Sequence, residues 1–374
     1  MYRKIIYIVK SDLAFYPPCM SQIRMIHDLG VDIEVWFGSS KDTAKEILEK
    51  EGIPYIELVD PRLPNGGLVN TAYNWALFRK ALFSRLRSSW KSDYLLWFGT
   101  AETAMPMLGG LGRYPYVLSA LELYDDQPTK AKLLATLCKG AEAVTACEIS
   151  RAYIMKTQWK LDRLPFVFPN KPYNLNLIKN MPLSCDETKK IASIIEGKKA
   201  ILYQGLFQRP QYVAPIAEAL ALLDSDYAFV LMGKDRYGTV EAMQQIYNNT
   251  LYFEFVPSPK HLEITSRAYI GVVLYDDTSL NKAFCAPNKI YEYSAFGIPM
   301  LANRLPGLIN TVEANSAGVC VDFTSSEILN AIKEIESNYN QYSMRSSQFY
   351  ARTDNSKVMS KMLDTLGINY GRLA

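Results

Sequence analysis

The 374-residue sequence predicts an α/β protein made of two Rossmann-like, doubly wound domains that face a cleft. Three observations predict it. The chain is longer than one hydrophobic core usually serves, so two domains are expected. From Lys4 to Leu58, short apolar runs alternate with helical patterns in the order strand, helix, strand, helix, strand. Right-handed crossovers turn that order into a parallel sheet. After an irregular stretch ending at Lys199, a second series of the same kind begins at Ala200.

In order, Lys4 to Val9 reads as the first strand, and the loop Lys10 to Pro18 leads to a helix closed by Gly30. Val31 to Phe37 sets Val31, Ile33 and Val35 against Asp32 and Glu34, the period of a strand. Ser40 to Glu51 is a charged helix with Gly52 behind it, and Tyr55 to Leu58 is the third strand. The loop Val59 to Leu68, with two prolines and Gly66-Gly67, precedes a long helical stretch over Asn70 to Lys91. That stretch joins Trp75, Phe78, Leu82, Phe83, Leu86 and Trp90 to Arg79, Lys80, Arg85, Arg87 and Lys91, with no acidic residue. It reads either as a basic amphipathic surface for an anionic membrane, or as a sheet-packed helix whose basic side is simply wet. Strands at Tyr94–Trp97, Tyr116–Ala120, Ala143–Ala146 and Phe166–Phe168 complete a sheet of about seven near Pro169-Asn170.

Residues 171–199 carry Pro172, Pro182 and little periodicity, and read as an interdomain link. The second series has strands at Ala200–Gln204, Ala228–Met232, Leu251–Phe255, Tyr269–Tyr275, Met300–Asn303 and Val319–Val321. Gly205 reads as a tight turn after the first of these, with a helix over Tyr212–Leu223 beyond it. The expected domains are 1–170 and 200–338. The tail, 339–374, is helical with no strand to serve and is able to cross back to the N-terminal domain.

Composition narrows the class. Hydrophobic residues at 49% and charged ones at 21% are ordinary for a soluble protein, and a net charge of +3 gives no electrostatic case for nucleic acid. No run approaches the roughly eighteen apolar residues that a membrane span needs. The N-terminal apolar run is broken at Lys10-Ser11-Asp12, so a cytoplasmic protein is expected. Cys19, Cys138, Cys147, Cys185, Cys285 and Cys320 follow no metal or disulfide spacing and read as reduced thiols. His27 and His261 are too few for a histidine metal site. No glycine-rich dinucleotide or P-loop motif follows a strand.

The stretch that holds the chemistry runs from Ala286 to Pro299. A short helix with Pro287 near its start and Gly297 past its end follows the strand to Tyr275 and its polar loop. Lys289 and Glu292, three apart, share a face of it. Such a pair is usually a solvated ion pair of little energetic weight. At the mouth of a parallel sheet it can instead offer a cation to phosphate and a carboxylate to sugar hydroxyls.

The second half resembles the donor domain of GT-B glycosyltransferases, nearest to glycosyltransferase family 4. The likeness rests on the strand ending at Gly205 with Arg209 behind it, on Met232-Gly233, and on Phe255-Val256-Pro257. It continues through Pro287-Asn288-Lys289-Ile290-Tyr291-Glu292 and Ala295-Phe296-Gly297-Ile298-Pro299, with Glu313 and Gly318 later. The first half matches in architecture, with Phe168-Pro169-Asn170 resembling the family's exit from the acceptor domain.

The resemblance implies that Glu292 binds the ribose of a nucleotide sugar. It implies that Lys289, Asn288, the N–H groups after Pro287, and Gly205 with Arg209 face the diphosphate. No metal and no separate cofactor is implied: Asp224-Ser225-Asp226 precedes its strand, at the wrong end of the sheet for a donor metal. Phe284 stands where many members have a glutamate, Leu206 where an arginine follows the glycine, and Gln211 near an expected lysine. The stereochemistry of transfer is therefore open. The resemblance implies that any general base belongs to the first domain, where Glu122 and then Asp12 are best placed, each past the end of an apolar strand.

The implied function is transfer of a sugar from a nucleotide diphosphate sugar to a glycan or lipid-linked acceptor, in surface polysaccharide assembly. The 70–91 helix would hold the enzyme at the inner face of an anionic membrane. A nucleotide-sugar epimerase of the same architecture and a non-catalytic binding subunit are the alternatives.

Overall fold

The structure, a computed structural model, describes residues 2–38, 42–58, 67–173, 175, 177–223 and 226–371. The chain divides into two compact units, Met1–Asn174 with Asp354–Ala374, and Leu175–Thr353.

The first unit is built on seven strands: β1 (Lys4–Val9), β2 (Asp32–Phe37), β3 (Tyr55–Glu57), β4 (Tyr94–Phe98), β5 (Tyr116–Ser119), β6 (Ala143–Ala146) and β7 (Phe166–Val167). Their order is β3-β2-β1-β4-β5-β6-β7, and every pairing is parallel. Ile5 to Val9 are wholly buried, as expected of a strand covered by helices on both faces. The long basic stretch forms the helix Gly67–Ser89, which buries Phe78, Leu82 and Leu86 at four-residue spacing. Its Arg79 is turned inward, donating to the carbonyls of Pro106 (2.6 Å) and Leu108 (2.9 Å). Lys80, Arg87 and Lys91 are exposed. Part of the loop expected at 59–68, residues 59–66, lies outside the described residues.

The second unit has six parallel strands: β8 (Lys199–Leu206), β9 (Tyr227–Lys234), β10 (Thr250–Phe253), β11 (Ile270–Val273), β12 (Met300–Asn303) and β13 (Gly318–Val321). Their order is β10-β9-β8-β11-β12-β13. Two expectations are corrected here. Gly205 is no turn: β8 runs through it to Leu206, because its neighbour in the ladder is another glycine, Gly233. The stretch 171–199 is no irregular link throughout, since it contains the helix Asp186–Ile195. That helix buries Thr188, Ile191, Ala192 and Ile195, and Glu263 anchors its start through Ser184 and Thr188 (2.6 Å).

The tail divides at the unit boundary. Helix Tyr339–Arg352 packs on the helix Asn288–Ala295, with the rings of Tyr291 and Phe349 stacked at 5.4 Å. Helix Asn355–Thr365 belongs to the first unit, where Met359, Met362 and Leu363 are fully buried. Asn355 donates to the Pro169 carbonyl at 2.8 Å.

Candidate active site

β8 and β11 lie side by side in the second sheet, yet the chain leaves them in opposite directions, to β9 and β10 on one side and to β12 and β13 on the other. The carboxyl ends of such a pair open a crevice, because the connecting segments diverge there. Gln204 and Gly205 come to it from the end of β8, and Leu274 and Tyr275 follow β11.

Two glycines bring the backbones together. Gly205 has φ +109° and Gly233 has φ +153°. A Cβ on Gly233 would stand 1.8 Å from the Gly205 carbonyl oxygen, so no side chain fits. A Cβ on Gly205 would lie 3.7 Å from the Lys289 ammonium.

The helix Asn288–Ala295 packs against β11 beside this crevice. Pro287 is its N-cap and has no side-chain hydrogen bond to the first turn. Tyr293 presses it onto the sheet: its ring lies against Gly271, where a Cβ would approach to 2.4 Å, and its hydroxyl donates to the Leu202 carbonyl at 3.1 Å. Aligned peptide dipoles and open N–H groups give such a helix start a positive character.

Lys289 and Glu292 share a face as the spacing predicts, but they are no surface ion pair. The Lys289 ammonium donates to the Gln204 carbonyl at 2.8 Å and sits over the rings of Tyr203 (5.4 Å) and Tyr275 (5.6 Å). Burial pushes its pKa down to about 8 against an opposing pull from the Glu292 carboxylate. Glu292 is only 9% exposed. Its Oε2 accepts from the Gln204 side-chain amide at 2.6 Å, and its Oε1 lies 3.3 Å from His261 Nε2. Gln204 is oriented in turn by Thr265, whose hydroxyl donates to its Oε1 at 2.7 Å. A cation and a carboxylate, both taken largely out of water, thus meet at one sheet mouth beside a helix N-terminus.

By sequence the chain matches no family model and no curated protein. By structure it is similar to Anabaena Alr3699/HepE, solved with UDP and glucose, with a TM-score of 0.69 at 16% identity over 98% of this chain and 100% of that one. A glycosyltransferase from Rickettsia africae superposes with a TM-score of 0.67 at 12% identity, covering 98% of this chain and 99% of that one. MnaA of S. aureus, solved with UDP, gives 0.64 at 15% identity, with coverages of 98% and 97%. The fold is GT-B.

Within this GT-B chain the expected donor residues have distinct placements. Gly205, Pro287, Asn288, Lys289 and Glu292 come together around the end of β8 and the start of one helix. Arg209 is exposed at the N-cap of the helix Pro210–Leu220, with its guanidinium 5.3 Å over the Tyr237 ring. The two candidate bases are in the first unit. Asp12 accepts from the Ala14 N–H at 3.0 Å and so caps a short turn. Glu122 is exposed, 3.7 Å from the buried Arg151, whose guanidinium donates to the Leu121 carbonyl at 2.6 Å. Of the Asp224-Ser225-Asp226 triplet, 224 and 225 lie outside the described residues, and Asp226 immediately precedes β9.

The sequence reading missed Gln204, Thr265 and His261. In sequence Gln204 is an ordinary strand end, and His261 carries no motif that ties it to Glu292. The available signal was positional: Gln204 ends the strand whose neighbour leads to the Lys289 helix, and a polar residue buried there needs a partner.

Proposed function

We propose that the protein is a glycosyltransferase that moves a sugar from a UDP-sugar to a glycan or lipid-linked acceptor in surface polysaccharide assembly. The observation that carries this reading is the constellation of half-buried Lys289 with buried Gln204 and Glu292 at the mouth of the second sheet. HepE was solved with UDP and glucose and MnaA with UDP, which supports a uridine donor.

Cleavage of the sugar–phosphate bond leaves negative charge on the diphosphate and an oxocarbenium-like sugar. Lys289 and the N–H groups that follow Pro287 meet that charge, with Arg209 as a second cation, so the leaving group needs no metal. Glu292 takes the ribose hydroxyls on the lone pairs that Gln204 and His261 leave unused. Gly205 keeps the backbone low enough for the diphosphate to reach Lys289. Glu122, held by Arg151, is the stronger candidate base if transfer inverts, and Asp12 the weaker because its carboxylate already caps a turn.

Incubation with UDP-hexoses and an acceptor extract tests this reading. Free UDP with a glycosylated acceptor, undiminished by EDTA, is the expected result. An isomerised sugar would make the protein an epimerase, and UDP binding without turnover would make it a binding subunit. Glu292→Ala is expected to lose the rise in Tm that UDP gives by mass action. It should also lower apo stability by about 1–3 kcal/mol, because Gln204 loses its charged acceptor. An undiminished UDP-induced shift would remove Glu292 from the site.

Among the described residues, no helix is long and apolar enough to cross a membrane. We propose that the exposed side of the helix Gly67–Ser89, extended by Lys91, rests on an anionic bilayer. Exposed Val69 and Tyr73 lie near its start, and Lys80, Arg87 and Lys91 lie further along. Each such basic residue contributes about 1 kcal/mol near an anionic surface. Changing these three to glutamine should release the protein from phosphatidylserine vesicles in a sedimentation assay. Arg79, tied to two carbonyls, should matter for stability instead.

A further inference from the structure

We infer that His261 is a positioning residue that makes the donor site selective for ribose over deoxyribose. The inference rests on the proposed UDP reading and deepens it. The helix His261–Thr265 follows β10, far in sequence from Glu292, and it touches the carboxylate network at two points. At its first residue, His261 Nε2 is 3.3 Å from Glu292 Oε1. At its last, the Thr265 hydroxyl donates to Gln204 Oε1, which turns the Gln204 amide so that its N–H reaches Glu292 Oε2 at 2.6 Å. One helical turn separates the two, so both project on the same side.

The consequence is geometric. A carboxylate rotating about its last torsion presents its oxygens anywhere on a circle. One with a nitrogen beside each oxygen, the Gln204 amide hydrogen-bonded to Oε2 and the His261 ring at 3.3 Å from Oε1, has its plane fixed. Its remaining lone pairs then point in fixed directions, which suits two neighbouring hydroxyls held at the spacing of a ribose diol. Glu292 is nearly buried and cannot rely on water to hold it. The Nδ1 of His261 is buried without a hydrogen-bond partner among the described residues, so the ring is oriented through the approach of its Nε2 to Glu292. His261 acts through Glu292 and need not touch the ligand.

Isothermal titration with UDP and 2′-deoxy-UDP on wild type, His261→Ala, His261→Gln and Thr265→Val tests the inference. Wild type is expected to prefer UDP by about tenfold or more, the scale of one hydrogen bond to a charged group. His261→Ala and Thr265→Val should lower that ratio to about two, chiefly by weakening UDP. His261→Gln, which keeps a nitrogen donor at similar reach, should restore it. An unchanged ratio in His261→Ala and Thr265→Val, or equal weakening of both ligands, would overturn the positioning role while leaving UDP binding standing. A wild type that binds neither nucleotide would remove the UDP reading and this inference together.

Discussion

Lys289→Met is expected to slow sugar transfer by about 10²–10³-fold while leaving the free protein at least as stable as wild type. The ammonium is held where its charge is disfavoured, with a pKa lowered from 10.5 to about 8 by burial. At about 1.4 kcal/mol per tenfold, the charged form is carried about 3 kcal/mol less favourably than in the unfolded chain. Methionine fills similar space without that penalty, at the loss of one hydrogen bond to Gln204. A diphosphate reverses the balance, because a desolvated cation stabilises developing negative charge more strongly than a hydrated one. Turnover should therefore fall by about 10²–10³, as when one preorganised donor is removed from a reacting oxyanion. A variant that keeps its UDP-sugar turnover would take Lys289 out of the chemistry.

The pH dependence follows with a definite sign. The folded pKa lies below the unfolded one, so the penalty is complete below pH 8 and lifts as pH rises from about 8 to 10.5. The stability advantage of Lys289→Met over wild type should fade across that window in thermal melts. UDP affinity should be flat from pH 7 to about 8 and then weaken by up to about tenfold per pH unit, since binding needs the proton that Lys289 is losing. An affinity that stays flat to pH 10 would mean that Lys289 does not meet the phosphates.

Gly233→Ala is expected to cost about 4 kcal/mol or more, enough to unfold the second unit or nearly so. Its φ of +153° strains any side chain, and its Cβ would fall 1.8 Å from the Gly205 carbonyl oxygen. Neither end of that clash is flexible, because both residues sit in the β8–β9 ladder. Relief requires the strands to part where Gln204 holds Lys289 and Glu292. Denaturant titration should show a much lower midpoint, and any folded remainder should bind UDP poorly. A near-native midpoint would show that the two strand ends can separate without loss.

Much of this was legible in the sequence. Strand and helix alternation is a local property, and parallel strands buried on both faces announce themselves as short apolar runs. The helix Asn288–Ala295 was legible from Pro287 and Gly297, which mark its ends chemically. The helix Asp186–Ile195 was not. Its charged outer face gave little contrast until Ile191, Ala192 and Ile195 had a core to enter. The tail read as helical throughout, but helical periodicity does not say which core a helix serves. Only packing assigned Phe349 to the second unit and Met362 to the first.

At the site, spacing was enough to put Lys289 and Glu292 on one helix face near a helix start, because the 3.6-residue geometry of a helix leaves no other arrangement. Packing alone turns this face inward, burying Glu292 and half-burying Lys289. Burial is settled by what packs above the face, here Gln204 and Tyr203 from a strand and His261 from a helix, both distant in sequence. A charge in contact with water is nearly neutral to stability, whereas the same charge enclosed needs partners and shifts its pKa. That difference turns an ordinary ion-pair spacing into a candidate donor site.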